Sequence, residues 1–179
     1  MFRQQKRPWP RVVAMIGVAG LCAGALGTVA LGTVALGTVA LGQGATPLPK
    51  DTIFARKVLM DSIGRNMDAL EANASSTRID LIEGRDHADN ISVMLMAFVH
   101  LFPPSTNEWK PKVDRDPGTD TFAAPAIWTG FADFYKRARD AADVAFKASR
   151  AETEPAFRNQ VRQLRLACDS CHAIYMKKD

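Results

Sequence analysis

Apolar side chains recur at spacings of three, four and seven residues in four stretches after residue 50. At this period side chains fall on one face of an α-helix, so each stretch predicts an amphipathic helix. The four predicted helices begin at Asp51 or Thr52, between Ser76 and Asp80, at Pro125, and at Glu154-Pro155; the last one ends at Lys177-Lys178. No stretch shows the alternation of apolar and polar residues that is typical of a strand.

The connections between the predicted helices indicate how the helices pack. One connection, residues 103–121, is long and rich in Pro, Asp, Thr and Lys, while the other two are short. Short connections place successive helices side by side in opposite directions. We therefore predict an all-α fold, an antiparallel four-helix bundle with up-down-up-down topology. The first and last helices would be neighbours, and a cofactor site could form between facing helices.

The N-terminal segment, residues 1–44, has the features of a secretory signal peptide. Basic residues lie within residues 1–11, and an uncharged run follows from Val12 to Gly42, in which Gly-Thr-Val-Ala-Leu occurs three times in tandem. The run is also long enough to cross a bilayer, so an uncleaved membrane anchor is the alternative. We expect cleavage and a single domain over residues 45–179, with membrane contact only if the N-terminal segment is retained.

The net charge of the chain comes from this N-terminal segment. The chain carries 23 basic and 19 acidic residues, a formal net charge of +4, and no acidic residue lies within residues 1–42. Since the surplus positive charges lie in residues 1–11, the rest of the chain is balanced. The pI of about 9.1 therefore gives no reason to expect nucleic acid as a partner.

Near the C-terminus, Cys168, Cys171 and His172 form a C-x-x-C-H run, the motif of covalent c-type haem attachment. Positions three and four apart share one face of a helix, so both sulfurs can reach the vinyl groups of one porphyrin while the imidazole reaches the iron. A thioredoxin-like pair would need a βαβ pattern, and a zinc site would need further ligands nearby. We predict one covalently attached haem c with His172 as the proximal iron ligand. Such attachment takes place outside the bacterial cytoplasm, which predicts a periplasmic protein.

The residues alone leave the opposite side of the iron undecided. The first helix offers Met60 and Met67, which lie about 10 Å apart along the helix axis, so at most one of them can bind the iron. Methionine is also a common core residue. His87 and His100 are alternative ligands if the bundle packs differently. Arg56 lies on the apolar stripe one turn before Met60, where it could extend to solvent or meet a haem propionate.

Several groups of residues resemble class II cytochrome c, the cytochrome c′ family, over about residues 51–179. They are Ala55–Met60, Gly64–Met67, Leu101–Pro103, Ala126–Trp128, Cys168–His172 and Tyr175. The resemblance implies that Met60 is the distal iron ligand, that Arg56 contacts a haem propionate, and that Met67 is a core residue. It also implies the low-spin branch of the family, in which histidine and methionine both bind the iron.

On this resemblance we expect an electron carrier, not an enzyme, that exchanges electrons with redox partner proteins through a His/Met-ligated haem. A six-coordinate iron has no site for a substrate, and a peroxidase-like enzyme would need polar groups near Met60. The alternative is a five-coordinate cytochrome c′ that binds nitric oxide or carbon monoxide. Met176 stands where many members carry an arginine, which disfavours that alternative. High-spin members often pair through their first two helices, so the sequence leaves both a monomer and a homodimer open.

Overall fold

The computed structural model describes residues 47–111 and 120–177, which form five α-helices. Their bounds are α1 Pro49–Ser75, α2 Leu81–Phe98, α3 Ala126–Thr129, α4 Phe131–Ser149 and α5 Glu154–Tyr175, and a 3-10 turn lies at Pro104–Thr106. The predicted signal peptide, residues 1–44, lies outside the described residues. The helices are therefore those of the predicted domain.

The four long helices form the bundle. α1 packs beside α2, α2 beside α4, and α4 beside α5, while α1 and α5 contact each other less extensively. Side-chain contacts show that neighbours run in opposite directions: Asn66 of α1 meets His87 of α2, and Arg158 near the start of α5 reaches the carbonyl of Ser76 after α1. The predicted antiparallel four-helix bundle is confirmed, and no strand occurs within the described part of the chain.

Side-chain caps begin two of the helices as the sequence suggests. The Asp80 carboxylate accepts from the backbone N–H groups of Ile82 and Glu83, at 3.0 and 3.1 Å. The Thr153 hydroxyl accepts from the backbone N–H of Ala156, the third residue of α5, at 3.4 Å. The first N–H groups of a helix lack partners inside the helix, so such oxygens stabilise its start.

Two predicted helix bounds are wrong. α1 begins at Pro49 rather than at Asp51 or Thr52. Proline suits the first turn of a helix, because the N–H that it lacks would have no partner there. The helix predicted to run on from Pro125 is divided, since α3 ends before Gly130 and α4 starts after it. The backbone of Gly130 is not helical, with φ −122° and ψ 37°.

The C-terminal end of α5 also differs from the prediction. The helix ends at Tyr175, not at Lys178, and the chain then pairs with the end of the long connection. The N–H of Ala124 donates to the carbonyl of Tyr175 at 2.9 Å, and the N–H of Lys177 donates to the carbonyl of Phe122 at 2.8 Å. This short antiparallel bridge fixes the residues that follow the C-x-x-C-H motif.

Buried side chains form two hydrophobic clusters along the bundle. The first cluster includes Leu70, Ile91, Phe157 and Leu164. The second is aromatic and includes Phe98, Phe102, Phe134 and Tyr175, whose rings pack edge to face. Leu59 and Met60 of α1 pack against both clusters. The junction of the two clusters therefore lies beside this turn of α1.

Candidate functional site

The last two turns of α5 bring the motif residues together. Cys168, Cys171 and His172 are all half-buried on this helix. Cys168 packs against the first cluster and Cys171 against the second, so both thiols lie at the junction of the clusters. Burial raises the pKa of Cys168 to about 11 and raises the pKa of Cys171 above its usual value. Both side chains are therefore protonated thiols at neutral pH.

We call the space between α1 and α5 opposite the motif the cleft; these two helices contact each other less than the other neighbouring long helices do. The two helices are joined at one end, where Nε of Arg165 donates to the Glu71 carboxylate at 2.7 Å. His172 lies seven residues after Arg165 on α5, and Gly64 lies seven residues before Glu71 on α1, so these two lie at similar height in the antiparallel pair. Gly64 shares the stripe of α1 that carries Met60 and Glu71. A Cβ at Gly64 would meet no atom within 4 Å.

These residues fit a covalently attached haem c. Two thiols on one face can form thioether bonds to the two vinyl groups, and the imidazole of His172 can bind the iron. Gly64 leaves space on the facing helix at the same height. When bound, the haem supplies an iron that changes redox state and takes small diatomic ligands.

The two methionines of α1 occupy different surroundings. Met60, the predicted distal ligand, is half-buried and packs against both clusters. Cys168 packs against the first of these clusters and Cys171 against the second. Met67 is only 2% exposed and belongs to the first cluster. Met60 therefore lies beside the cleft, whereas Met67 is a core residue, as predicted.

Arg56 is buried and holds both ends of the long connection. Its guanidinium donates to Thr106 Oγ1 at 3.0 Å, to the Thr106 carbonyl at 3.2 Å and to Thr121 Oγ1 at 2.8 Å. It also lies over the rings of Phe102 and Trp128, 4.9 and 5.6 Å from their centres. Burial lowers the pKa of Arg56 to about 10. These contacts use three of its five N–H groups, so contact with a propionate stays a prediction.

The two histidines outside the motif lie away from it. Nδ1 of His87 is 2.9 Å from the side-chain oxygen of Asn66, between α1 and α2. His100 is exposed in the turn that follows α2. Within residues 47–111 and 120–177, no group of three His, Cys, Asp or Glu side chains could hold a metal ion. The packing gives no support to either histidine as an alternative iron ligand.

A hydrogen-bond network next to the motif was not foreseen from the sequence. The hydroxyl of Tyr175 donates to the Asp133 carboxylate at 2.7 Å, and Nε of Arg137 donates to the same oxygen at 2.7 Å. Hydrogen bonding to Asp133 raises the pKa of Tyr175. The network joins α4 to α5 one turn beyond His172. Local sequence patterns do not indicate this network, because Tyr175 and Asp133 are 42 residues apart.

A family model described as Cytochrome C' matches residues 51–176. Among solved structures, a cytochrome c′ from Thermochromatium tepidum has a TM-score of 0.64 and 21% identity, covering 73% of this chain and 97% of that chain. A cytochrome c′ described as having an unusual ligand-controlled dimer dissociation has a TM-score of 0.63 and 22% identity, covering 75% and 100%. One from Rubrivivax gelatinosus has a TM-score of 0.61 and 22% identity, covering 72% and 97%. No curated protein sequence matches the chain.

Proposed function

The chain belongs to the cytochrome c′ family, whose members carry one covalently attached haem c, and on that premise we propose that it binds nitric oxide or carbon monoxide at a five-coordinate iron. In this proposal Cys168 and Cys171 hold the haem, and His172 is the single protein ligand of the iron. The coordination position of the iron that faces α1 is open and binds the gas. Proteins of this family are haem carriers.

The expected His/Met-ligated electron carrier is wrong. Membership of the cytochrome c′ family overturns it, because these proteins are typically five-coordinate and bind nitric oxide or carbon monoxide. The low-spin branch has no support either. The methionine one turn after Arg56 does not identify an iron ligand, since a thioether at an apolar position serves equally well as a lining residue. In this proposal Met60 lines the cleft and does not bind the iron.

The observation that carries the proposal is the family match over residues 51–176, and the open space at Gly64 supports it. At Gly64 the face of α1 leaves open space at the height of His172. The neighbouring side chains, Leu59 and Met60, are apolar. Such surroundings suit a small, nearly nonpolar diatomic molecule.

The absorption spectrum of the reduced haem-loaded protein, with and without carbon monoxide, tests this proposal. We expect a high-spin spectrum that changes on adding carbon monoxide. Met60→Ala should leave the spin state unchanged and speed carbon monoxide binding severalfold, because it removes bulk from the cleft. Met67→Leu, a volume-conserving core substitution, is the control and should change neither property. A low-spin spectrum that becomes high-spin only in Met60→Ala would contradict the five-coordinate proposal.

We also propose that the protein acts as a homodimer through the α1–α2 face. Phe54 and Val58 of α1 and Val93 and Met96 of α2 are 59%, 48%, 64% and 37% exposed. The antiparallel contact between α1 and α2 brings these apolar residues to the same end of the helix pair. Apolar residues exposed in this way mark interaction sites, and one similar cytochrome c′ is described as a dimer whose dissociation a ligand controls.

Sedimentation velocity of the haem-loaded protein tests the dimer. The wild-type protein should sediment as a dimer, and Val93→Glu should sediment as a monomer because it buries a charge in the interface. Leu166→Glu on α5, 61% exposed, is the matched control and should remain dimeric. A monomeric wild type, or a dimer that survives Val93→Glu, would rule out this face.

We propose the periplasm as the location. Family members are periplasmic, and the basic residues and apolar run of residues 1–44 are typical of an exported precursor. Among residues 47–111 and 120–177 there is no helix with the length and hydrophobicity that a membrane crossing requires. Fractionation of cells that express the full chain tests the location.

A further inference from the structure

A pair of opposite charges on α4, Asp133 and Arg137, is held against the last turn of α5. The two residues are one helical turn apart, and Nε of Arg137 donates to the Asp133 carboxylate at 2.7 Å. The same carboxylate oxygen accepts from the hydroxyl of Tyr175 at 2.7 Å. Tyr175 is only 7% exposed, and its ring packs edge to face on Phe134. Because the ring is fixed in the core, its hydroxyl holds the carboxylate in one place beside α5.

Cys171, the second cysteine of the motif, lies near this charge pair. It packs against the aromatic cluster to which Tyr175 belongs. Burial raises the pKa of Cys171, while the charge of Arg137 lowers that pKa and the charge of Asp133 raises it. Hydrogen bonding to Asp133 raises the pKa of Arg137 and of Tyr175, and Cys171 adds to both effects. Electrostatic interactions weaken with distance, so both charges lie near the sulfur that attaches the haem.

The part of α5 that carries the motif brings no lysine or arginine of its own to this place. Between Arg165 and Lys177 the sequence holds an acidic residue, Asp169, but neither of these basic residue types. The guanidinium of Arg165 is bound to Glu71 on α1, where its Nε donates to the carboxylate at 2.7 Å. Arg137 therefore supplies a positive charge beside Cys171 from the neighbouring helix.

Charges at this place act on the iron of the haem that Cys171 attaches. Ferric iron carries one more positive charge than ferrous iron, so a nearby carboxylate favours the ferric state and a nearby cation favours the ferrous state. The side chains of Arg137 and Asp133 are 36% and 52% exposed, so solvent weakens both interactions. Asp133 alone would lower the midpoint potential of the haem, and Arg137 opposes this effect.

We propose that Arg137 neutralises Asp133 toward the haem, so that the carboxylate anchors Tyr175 without holding the iron in the ferric state. Tyr175 is then a positioning residue, and Asp133 and Arg137 act on the iron as two opposed charges. Together the three residues tie α5 to α4 and keep the ferrous form accessible. This inference rests on haem attachment at Cys171 and not on gas binding, so either can fail without the other.

Redox titration of the haem-loaded protein at low ionic strength tests the proposal. Arg137→Gln should lower the midpoint potential, and Asp133→Asn, which keeps an oxygen that can accept from Tyr175, should raise it. The double variant should lie between the two single variants and close to the wild type. Arg137→Lys should keep the wild-type potential because it retains the charge. Arg139→Gln and Asp140→Asn, both exposed on α4, are the matched controls and should shift the potential least.

Ionic strength separates an effect of charge from a change in packing. The Debye length falls from about 30 Å at 0.01 M salt to about 3 Å at 1 M, so both shifts should shrink in high salt. Shifts of the same sign in Arg137→Gln and Asp133→Asn, no shift in either, or shifts that high salt leaves unchanged would overturn the proposal.

Carbon monoxide binding, measured on the same reduced samples, keeps the two claims about the haem apart. If the potentials shift in opposite directions but the wild-type protein ignores carbon monoxide, the charge pair acts as proposed and the gas-binding proposal fails. If carbon monoxide binds and neither variant moves the potential, the gas-binding proposal stands and the role of Arg137 and Asp133 is refuted.

Discussion

A chain in which serine replaces both Cys168 and Cys171 is expected to carry no covalently bound haem. The two thiols are the half-buried cysteines at the junction of the clusters, and serine cannot form a thioether bond to a vinyl group. The measurement is haem staining after denaturing electrophoresis of the periplasmic fraction from cells that express the full chain. The wild-type band should stain at the size of the processed protein, and the double variant should not stain.

Cys22→Ser provides the control for this loss. Cys22 lies in the predicted signal peptide, so its replacement should leave both staining and periplasmic recovery intact. His172→Ala should keep the covalent stain while changing the absorption spectrum, because it removes the axial ligand and not the thioether bonds. A stained band in the double variant would refute the attachment assignment, and wild-type stain confined to the membrane fraction would refute the predicted cleavage.

Replacing Arg56 by methionine is expected to lower the free energy of unfolding by about 2 kcal/mol. The substitution removes three hydrogen bonds to Thr106 and Thr121 and leaves the carbonyl of Thr106 without this donor. It also removes the guanidinium from the faces of Phe102 and Trp128. Methionine keeps much of the volume, so the loss reports the polar contacts and not a large cavity. Urea denaturation of the haem-loaded protein gives the measurement.

The adjacent Lys57 supplies a matched control. Its ammonium contacts Asp120 at 3.2 Å, and its side chain is 34% exposed. Partly exposed ion pairs contribute about 0–1 kcal/mol, so Lys57→Met should change stability far less than Arg56→Met. Equal losses in the two variants would show that Arg56 contributes no more than an ordinary ion pair to holding the connection.

The helices and the attachment motif could be predicted because both depend on short sequence distances. Spacings of three and four residues are visible in a single turn, and they predict the bundle as well as the common face of Cys168, Cys171 and His172. The side chain of Asp80, just before α2, indicates a helix start for the same local reason. The start of α1 at Pro49, two residues before the predicted Asp51, was missed because proline suits a loop as readily as the first turn of a helix.

The contacts that join distant parts of the chain could not be predicted in this way. Arg56 meets residues 50 and 65 positions away, and no local pattern reports such partners. The bridge after α5 depends on the position of the long connection in space. The predicted His/Met ligation of the iron was wrong for a further reason. Whether Met60 binds the metal or lines the cleft depends on small differences in the separation of α1 and α5, to which hydrophobic periodicity is insensitive.

Because Arg56 fixes both ends of the long connection, the length of that connection has little effect on the stability of the fold. By holding Thr106 and Thr121, the arginine closes this stretch into a loop with both ends fixed on α1. The entropy of closing a loop grows only logarithmically, by about 0.6 kcal/mol for each doubling of its length. Residues added between these two threonines should therefore cost little stability, and the loop is a natural place to insert an epitope or a reporter peptide.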